Sequence, residues 1–149
     1  MSGDKTQSED KDILYFNEVH TIVGCAFRVY NSLGSGFLEA VYRDALMIEF
    51  RDNKIPAVSE KHLDVYYNGE KLPSTYKTNI ICYDSIILEL KANTKPTNSD
   101  SAQILHYLKA TGIKAGILFN FGKKGKLEWM RFVYTDEKYL KNENIKEIS

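Results

Sequence analysis

Hydrophobic spacing divides the chain into two helical stretches, a strand-rich middle, a third helix and two closing strands. From Asn17, the residues Val19, Ile22, Val23, Ala26, Phe27 and Tyr30 recur at helical spacing, and Asn31-Ser32-Leu33-Gly34 supplies stop chemistry. Ser35-Gly36 breaks the chain before a second helix with an expected apolar stripe of Leu38, Val41, Tyr42, Ala45, Leu46 and Phe50. After Pro56 the period falls to two. A strand is expected over 58–67, then an Asn68-Gly69 turn, a strand from about Leu72 or Thr75 to Cys82, and a Tyr83-Asp84-Ser85 loop into Ile86–Lys91. A polar loop over 93–100, containing Pro96, leads to a helix capped by Ser99 or Ser101 and stopped at Gly112, with Ile104, Leu105 and Leu108 toward the core. Ala115 to Phe121 is apolar nearly throughout, as a strand buried on both faces would be, and Gly122 to Lys126 turns it into a last strand, Leu127 to Tyr134. Residues 1–12 read as a disordered tail, 13–140 as one domain and 141–149 as a charged tail, with a short helix envisaged after Asp136.

Within Ile86-Ile87-Leu88-Glu89-Leu90-Lys91, alternation puts Ile86, Leu88 and Leu90 on one face and Ile87, Glu89 and Lys91 on the other. A carboxylate and an ammonium therefore project side by side from an apolar strand, where unpaired charge is costly. For this feature alone, a neutralising pair at a sheet edge is the plainer reading. With a three-residue loop, Cys82 lies opposite Ile86, and counting outward sets Asn79 opposite Glu89. Glu39 falls in the first turn of its helix, where the dipole favours an acid and a link to Arg43 is in reach. Gln103 and Tyr107, four apart, share a helix face, while His106 reads as a surface residue.

Composition changes this picture little. With 149 residues, 43% hydrophobic and 12% aromatic, the chain fits a single globular domain. It contains no apolar run of membrane-spanning length and no apolar signal core, so an intracellular, cytoplasmic location is expected and membrane association is not. Cys25 and Cys82 lack metal-ligand spacing and read as reduced thiols. Net charge is zero but uneven: residues 1–70 carry 7 Lys/Arg against 12 Asp/Glu, and residues 71–149 carry 13 against 8, or −5 and +5. The basic half includes Lys109, Lys123, Lys124 and Lys126, candidates for a phosphate-facing surface, although scattered lysines are more often solvated exterior.

Four blocks in order resemble the GxxExxY proteins, a branch of the PD-(D/E)xK nuclease superfamily. They are Gly36-Phe37-Leu38-Glu39-Ala40-Val41-Tyr42, Ile87-Leu88-Glu89-Leu90-Lys91-Ala92, the helix Ala102 to Gly112 carrying Gln103 and Tyr107, and Gly116 to Gly122. The resemblance implies an α/β, restriction-endonuclease-like (RecB-like) sandwich: a mixed central sheet with antiparallel hairpins, flanked by helices in the order α-α-β-β-β-α-β-β. It further implies a hydrolase acting on nucleic acid with Mg²⁺ or Mn²⁺. Glu89 and Glu39 would be metal ligands, Lys91 would position water or stabilise the phosphorane, and Gln103 and Tyr107 would orient Lys91 or touch the substrate backbone. Active relatives carry an aspartate ten residues before the motif glutamate. Here that position is Asn79, whose amide oxygen can ligate a hard cation but brings no charge. Glu60 or Asp64 would be the nearest migrated acids.

Three readings follow: a metal-dependent nuclease weakened at Asn79, a catalytically silent nuclease fold that binds nucleic acid or assembles with a partner, and a purely structural or protein-interaction role using the acidic first half. A homodimer is a working hypothesis for so small a nuclease fold; no residue here carries it.

Overall fold

One strand, buried on both of its faces, sets the layers. In the computed structural model, which describes residues 15–94, 98–134 and 139–140, β5 (Ile86–Lys91) lies inside a six-stranded sheet ordered β1-β4-β5-β6-β7-β8. Its neighbours are β4 (Ile80–Cys82), antiparallel, and β6 (Ala115–Asn120), parallel. β1 (Ala57–Ser59) pairs with β4, β7 (Glu128–Tyr134) pairs with β6, and β8 (Tyr139–Leu140) closes the far edge. Because β5 and β6 run parallel, the chain between them must cross over, and α3 (Asn98–Thr111) does so.

The period-two alternation of β5 feeds two cores. Ile86, Leu88 and Leu90 join α1 (Phe16–Leu33) and α2 (Glu39–Asp52) through Ile22, Ala26, Tyr42, Leu46 and Phe50. Ile87 points the other way, into a core with Ile104 and Leu108 of α3, Phe132 of β7 and Tyr76 of β3 (Glu70–Lys77). Each such side chain contributes about 1.5–3 kcal/mol when fully buried. β3 forms a separate hairpin with β2 (His62–Tyr67) across the Asn68-Gly69 turn, where both residues take positive φ (51° and 80°). The mixed α/β sandwich expected from the sequence is therefore the observed architecture.

Several boundaries differ from expectation. The strand over 58–67 is two strands, because Glu60 takes a left-handed φ of 55°. The next expected strand, ending at Cys82, also breaks, at Thr78-Asn79. There Glu60 N–H donates to Asn79 O (3.0 Å) and Thr78 N–H to Lys61 O (2.9 Å), so the two breaks hold each other at a corner. The apolar stripe of α2 narrows to Tyr42, Leu46 and Phe50, while Leu38 is 80% exposed and Val41 faces outward. α3 begins at Asn98, so Ser99 and Ser101 fall within it instead of capping it. Gly112 ends α3 as expected, with φ of 78° and its N–H on Leu108 O at 3.0 Å. Tyr139–Leu140 extends the sheet where a short helix was envisaged. Both tails and Pro96 lie outside the described residues.

A polar clamp fixes the ends of β5 and β6. Asn120, buried, accepts from Asn93 N–H and Gly122 N–H and donates to Asn93 O, all at 3.0 Å, while Phe121 N–H donates to Lys91 O at 2.8 Å. The chain crosses itself so closely that a Cβ on Gly122 would lie 2.4 Å from both Asn93 N and Asn93 O. Backbone cannot yield as a flexible side chain would. Gly122→Ala should therefore cost about 3 kcal/mol, in the range of core overpacking and backbone strain. Urea denaturation measures it; a loss under about 0.5 kcal/mol, the range of a neutral surface change, would contradict the close crossing.

Candidate functional site

The turn before β5 sets the register of the site. Tyr83 and Asp84 take φ of 55° and 53°, and Ser85 N–H returns to Cys82 O at 3.0 Å. The pairs Cys82↔Ile86, Ile81↔Ile87 and Ile80↔Leu88 follow, as the three-residue loop implies. Asn79, the residue before Ile80, then lies beside the Glu89–Leu90 peptide, and its Oδ1 accepts the Leu90 N–H at 2.8 Å. In this structure the Asn79 amide ends the ladder between β4 and β5.

Glu89 is 8% exposed, and Tyr76 Oη–H donates to its Oε1. The Tyr76 ring stacks on Tyr107 at 3.7 Å and 12°. β3 and α3 thus meet over the motif carboxylate through two aromatic rings. Burial pushes the Glu89 carboxyl up to about 7; Lys91 opposes this, and the negative charges of Glu39 and Asp100 add to it. The three carboxylates and Lys91 therefore share one electrostatic neighbourhood.

Glu39 enters from the first residue of α2, and Tyr42 shapes the loop that delivers it. Tyr42 Oη–H donates to Gly34 O at 2.6 Å, and Tyr42 Oη in turn accepts Phe37 N–H at 3.2 Å. Its ring stacks on Phe121 at 4.4 Å and 16°. Gly34 and Gly36, with φ of 68° and 112°, supply the bends that a side chain would resist. Arg43 does not reach back to Glu39; it bonds Glu60 at 3.0 Å and Asp44 at 3.3 Å, and Glu39 stays exposed.

The remaining candidates scatter. Gln103 is exposed on α3, while Tyr107 is half-buried against Tyr76. Lys109, Lys123, Lys124 and Lys126 are exposed. The last three leave the sheet at the Lys91 end, because Lys91 pairs with Asn120, and Lys123 lies 3.5 Å from Glu128. Glu60 and Asp64 face solvent in pairs with Arg43 and with Lys71 (3.5 Å). His106 is exposed; Cys25 and Cys82 are free, buried thiols raised chiefly by burial.

Sequence reasoning missed Tyr76 and Asp100. Tyr76 reaches Glu89 because the chain breaks after it at Thr78-Asn79, a break with no glycine or proline to announce it. Asp100 lies in the first turn of α3, where Asn93 Nδ2 approaches its Oδ2 at 3.4 Å. Among the described residues, no three His, Cys, Asp or Glu side chains form a ready cage for a metal ion. The donors nevertheless suit a hard cation that keeps most of its waters: the Glu89 carboxylate, and an Asn79 Oδ1 with one lone pair left after Leu90.

Comparison with known proteins settles the family. The profile of the PD-(D/E)XK nuclease superfamily matches residues 17–132. The chain belongs to the PD-(D/E)XK nuclease superfamily. The match takes in α1, the hairpins, the Glu89–Lys91 strand and β7 as far as Phe132. No curated protein sequence matches. A solved structure described as the crystal structure of SSO0001 overlays with a TM-score of 0.49 and 17% identity, over 62% of this chain and 48% of that one. This chain thus spans about half of that protein's length. No helix among the described residues of this superfamily member is long and apolar enough to cross a membrane.

The raised Glu89 carboxyl makes stability depend on pH. The folded state binds this proton up to about pH 7, whereas the unfolded state releases it near 4.5. Between those values the folded form holds more protons, so its stability falls as pH rises, by about 3 kcal/mol in all. Above pH 7 the full penalty stands. Glu89→Gln should remove this slope and stabilise the protein most at pH 8. Urea melts of both proteins at pH 5 and pH 8 test it, and parallel pH profiles would contradict it.

Proposed function

We propose that this chain is a metal-dependent nuclease of the GxxExxY branch, hydrolysing nucleic-acid phosphodiester bonds at the corner formed by Asn79, Glu89 and Lys91. One observation carries the reading. Glu89 and Lys91 leave the same face of a central strand at its carboxyl end, and Glu89 is raised by burial together with the charges of Glu39 and Asp100. A buried carboxylate crowded by acids is relieved by a divalent cation.

Mg²⁺ or Mn²⁺, when bound, neutralises phosphate charge and lowers the pKa of a water. Glu89 and the free lone pair of Asn79 Oδ1 would hold the ion, and Glu39 and Asp100 would add negative charge beside it. Tyr76, braced by Tyr107, fixes the Glu89 carboxylate in one orientation. Lys91 carries its positive charge toward the phosphate, where charge grows as water adds to phosphorus and the P–O bond to the leaving group breaks. Gln103, exposed on α3, contacts the substrate backbone. Lys109, Lys123, Lys124 and Lys126 attract the polyanion, a contribution that weakens as salt rises.

A second reading rests on a specific contact. The Asn79 amide is already bonded to Leu90 N–H and brings no charge, which suits a nuclease fold that binds nucleic acid or assembles with a partner without cutting. An aspartate at this position keeps the same acceptor for Leu90, so Asn79→Asp should leave the fold intact. Cleavage of labelled single- and double-stranded DNA and RNA with Mg²⁺ or Mn²⁺ separates the two readings. On the nuclease reading the wild type cuts, Asn79→Asp cuts faster by on the order of tenfold, and Lys91→Ala loses roughly 10²–10³ in rate. Cutting by Asn79→Asp alone would favour the silent fold, and no cutting by any variant would sink the enzyme.

A further inference from the structure

The sheet buries one charged side chain on each of its faces, Glu89 on one and Arg131 on the other. Glu89 belongs to the site above; Arg131 does not. Arg131 and Trp129 stand two residues apart on β7 and so face the same side, that of α1. With Phe16, Val19, Val23 and Phe27 of α1 they line a cavity of ≈ 240 Å³. His20, exposed, also lines it, its ring tilted against that of Phe16 with centroids 4.7 Å apart.

Two buried donors in this cavity lack acceptors among the described residues. Arg131 is 3% exposed, and among the described residues no carboxylate pairs with it. The Arg131 Nε–H and the Trp129 indole Nε1–H are both buried with no hydrogen-bond partner among the described residues. Buried donors are normally satisfied, and an arginine does not escape by giving up its proton. The missing element is an acceptor with negative charge. A carboxylate supplies two oxygens in the plane that a guanidinium matches. The walls are otherwise apolar, and the volume lies below the ~300–1,000 Å³ of sites for drug-sized ligands. A nucleotide or a phosphodiester backbone suits neither the walls nor the size.

We propose that the cavity between α1 and β7 binds a small carboxylic acid with an apolar body, its carboxylate received by Arg131 and Trp129 and its body packed on Phe16, Val23 and Phe27. The site lies on the opposite face of the sheet from Glu89, so it stands or falls apart from the nuclease reading.

Trp129 is the sole tryptophan, so its emission reports directly on the cavity. Octanoate titrated into the full chain should change that emission to saturation. Octanol, with the same body and no charge, should bind at least roughly tenfold more weakly, and octylamine should give no saturable change. Arg131→Met should abolish the octanoate response while leaving Tm unchanged or higher, because it replaces an unpaired buried charge with an apolar side chain. Failure of octanoate to saturate by millimolar concentration, equal binding of octanol, or unchanged octanoate binding by Arg131→Met would each overturn the proposal. If Arg131→Met does not fold, Arg131→Lys, which keeps the charge without the planar fork, carries the test: it should fold and bind octanoate measurably more weakly, and unchanged binding would overturn the proposal.

Discussion

A strand hydrogen-bonded on both edges and covered on both faces has no route to water except past its end. β5 is such a strand, and the organisation of the site follows from that constraint. Four of its six residues fill two separate cores, leaving charge tolerable only toward the carboxyl end. Glu89 sits at the limit of that tolerance, with a tyrosine hydroxyl offsetting part of its desolvation and Lys91 supplying opposite charge one step nearer to water. The candidate site is thus the point where the central strand leaves the interior. Open α/β sheets commonly place ligands at such strand ends.

The parts legible in the sequence were those written in local chemistry. Alternation along Ile86 to Lys91 gave the two faces correctly, and Asn68-Gly69 and Tyr83-Asp84-Ser85 gave both turns, because turn residues act on their own backbone. Gly34 and Gly112 stopped their helices where expected. The illegible parts were set by contacts between distant segments. Glu60 and Asn79 break two strands by bonding each other's backbone, and nothing in Ser59-Glu60-Lys61 announces it. The hairpin released by those breaks carries Tyr76 over Glu89. The breadth of the α2 stripe was overestimated for a related reason: Leu38 and Val41 obey the helical period, but no element among the described residues covers them.

Glu89 and Arg131 show two responses to one electrostatic problem. Burial disfavours both charges, raising one carboxyl and lowering one guanidinium. Glu89 is met by Tyr76 and by the ammonium of Lys91, whereas the Arg131 side chain stands among phenylalanines and valines. A β-sheet in a two-sided sandwich separates these environments completely, so chemistry on one face constrains the other only through the strands themselves.

Tyr42 gives the stretch Gly36 to Tyr42 a structural role. Its hydroxyl ties Gly34 to Phe37 and its ring lies on Phe121, so the tyrosine acts as a latch on the loop between two helices. Gly36 and Tyr42 serve loop shape, whereas the Glu39 side chain is exposed. The bend at Gly36 and the Tyr42 latch are built from backbone and ring contacts that do not call on the Glu39 carboxylate, so the loop keeps its shape independently of what that carboxylate faces.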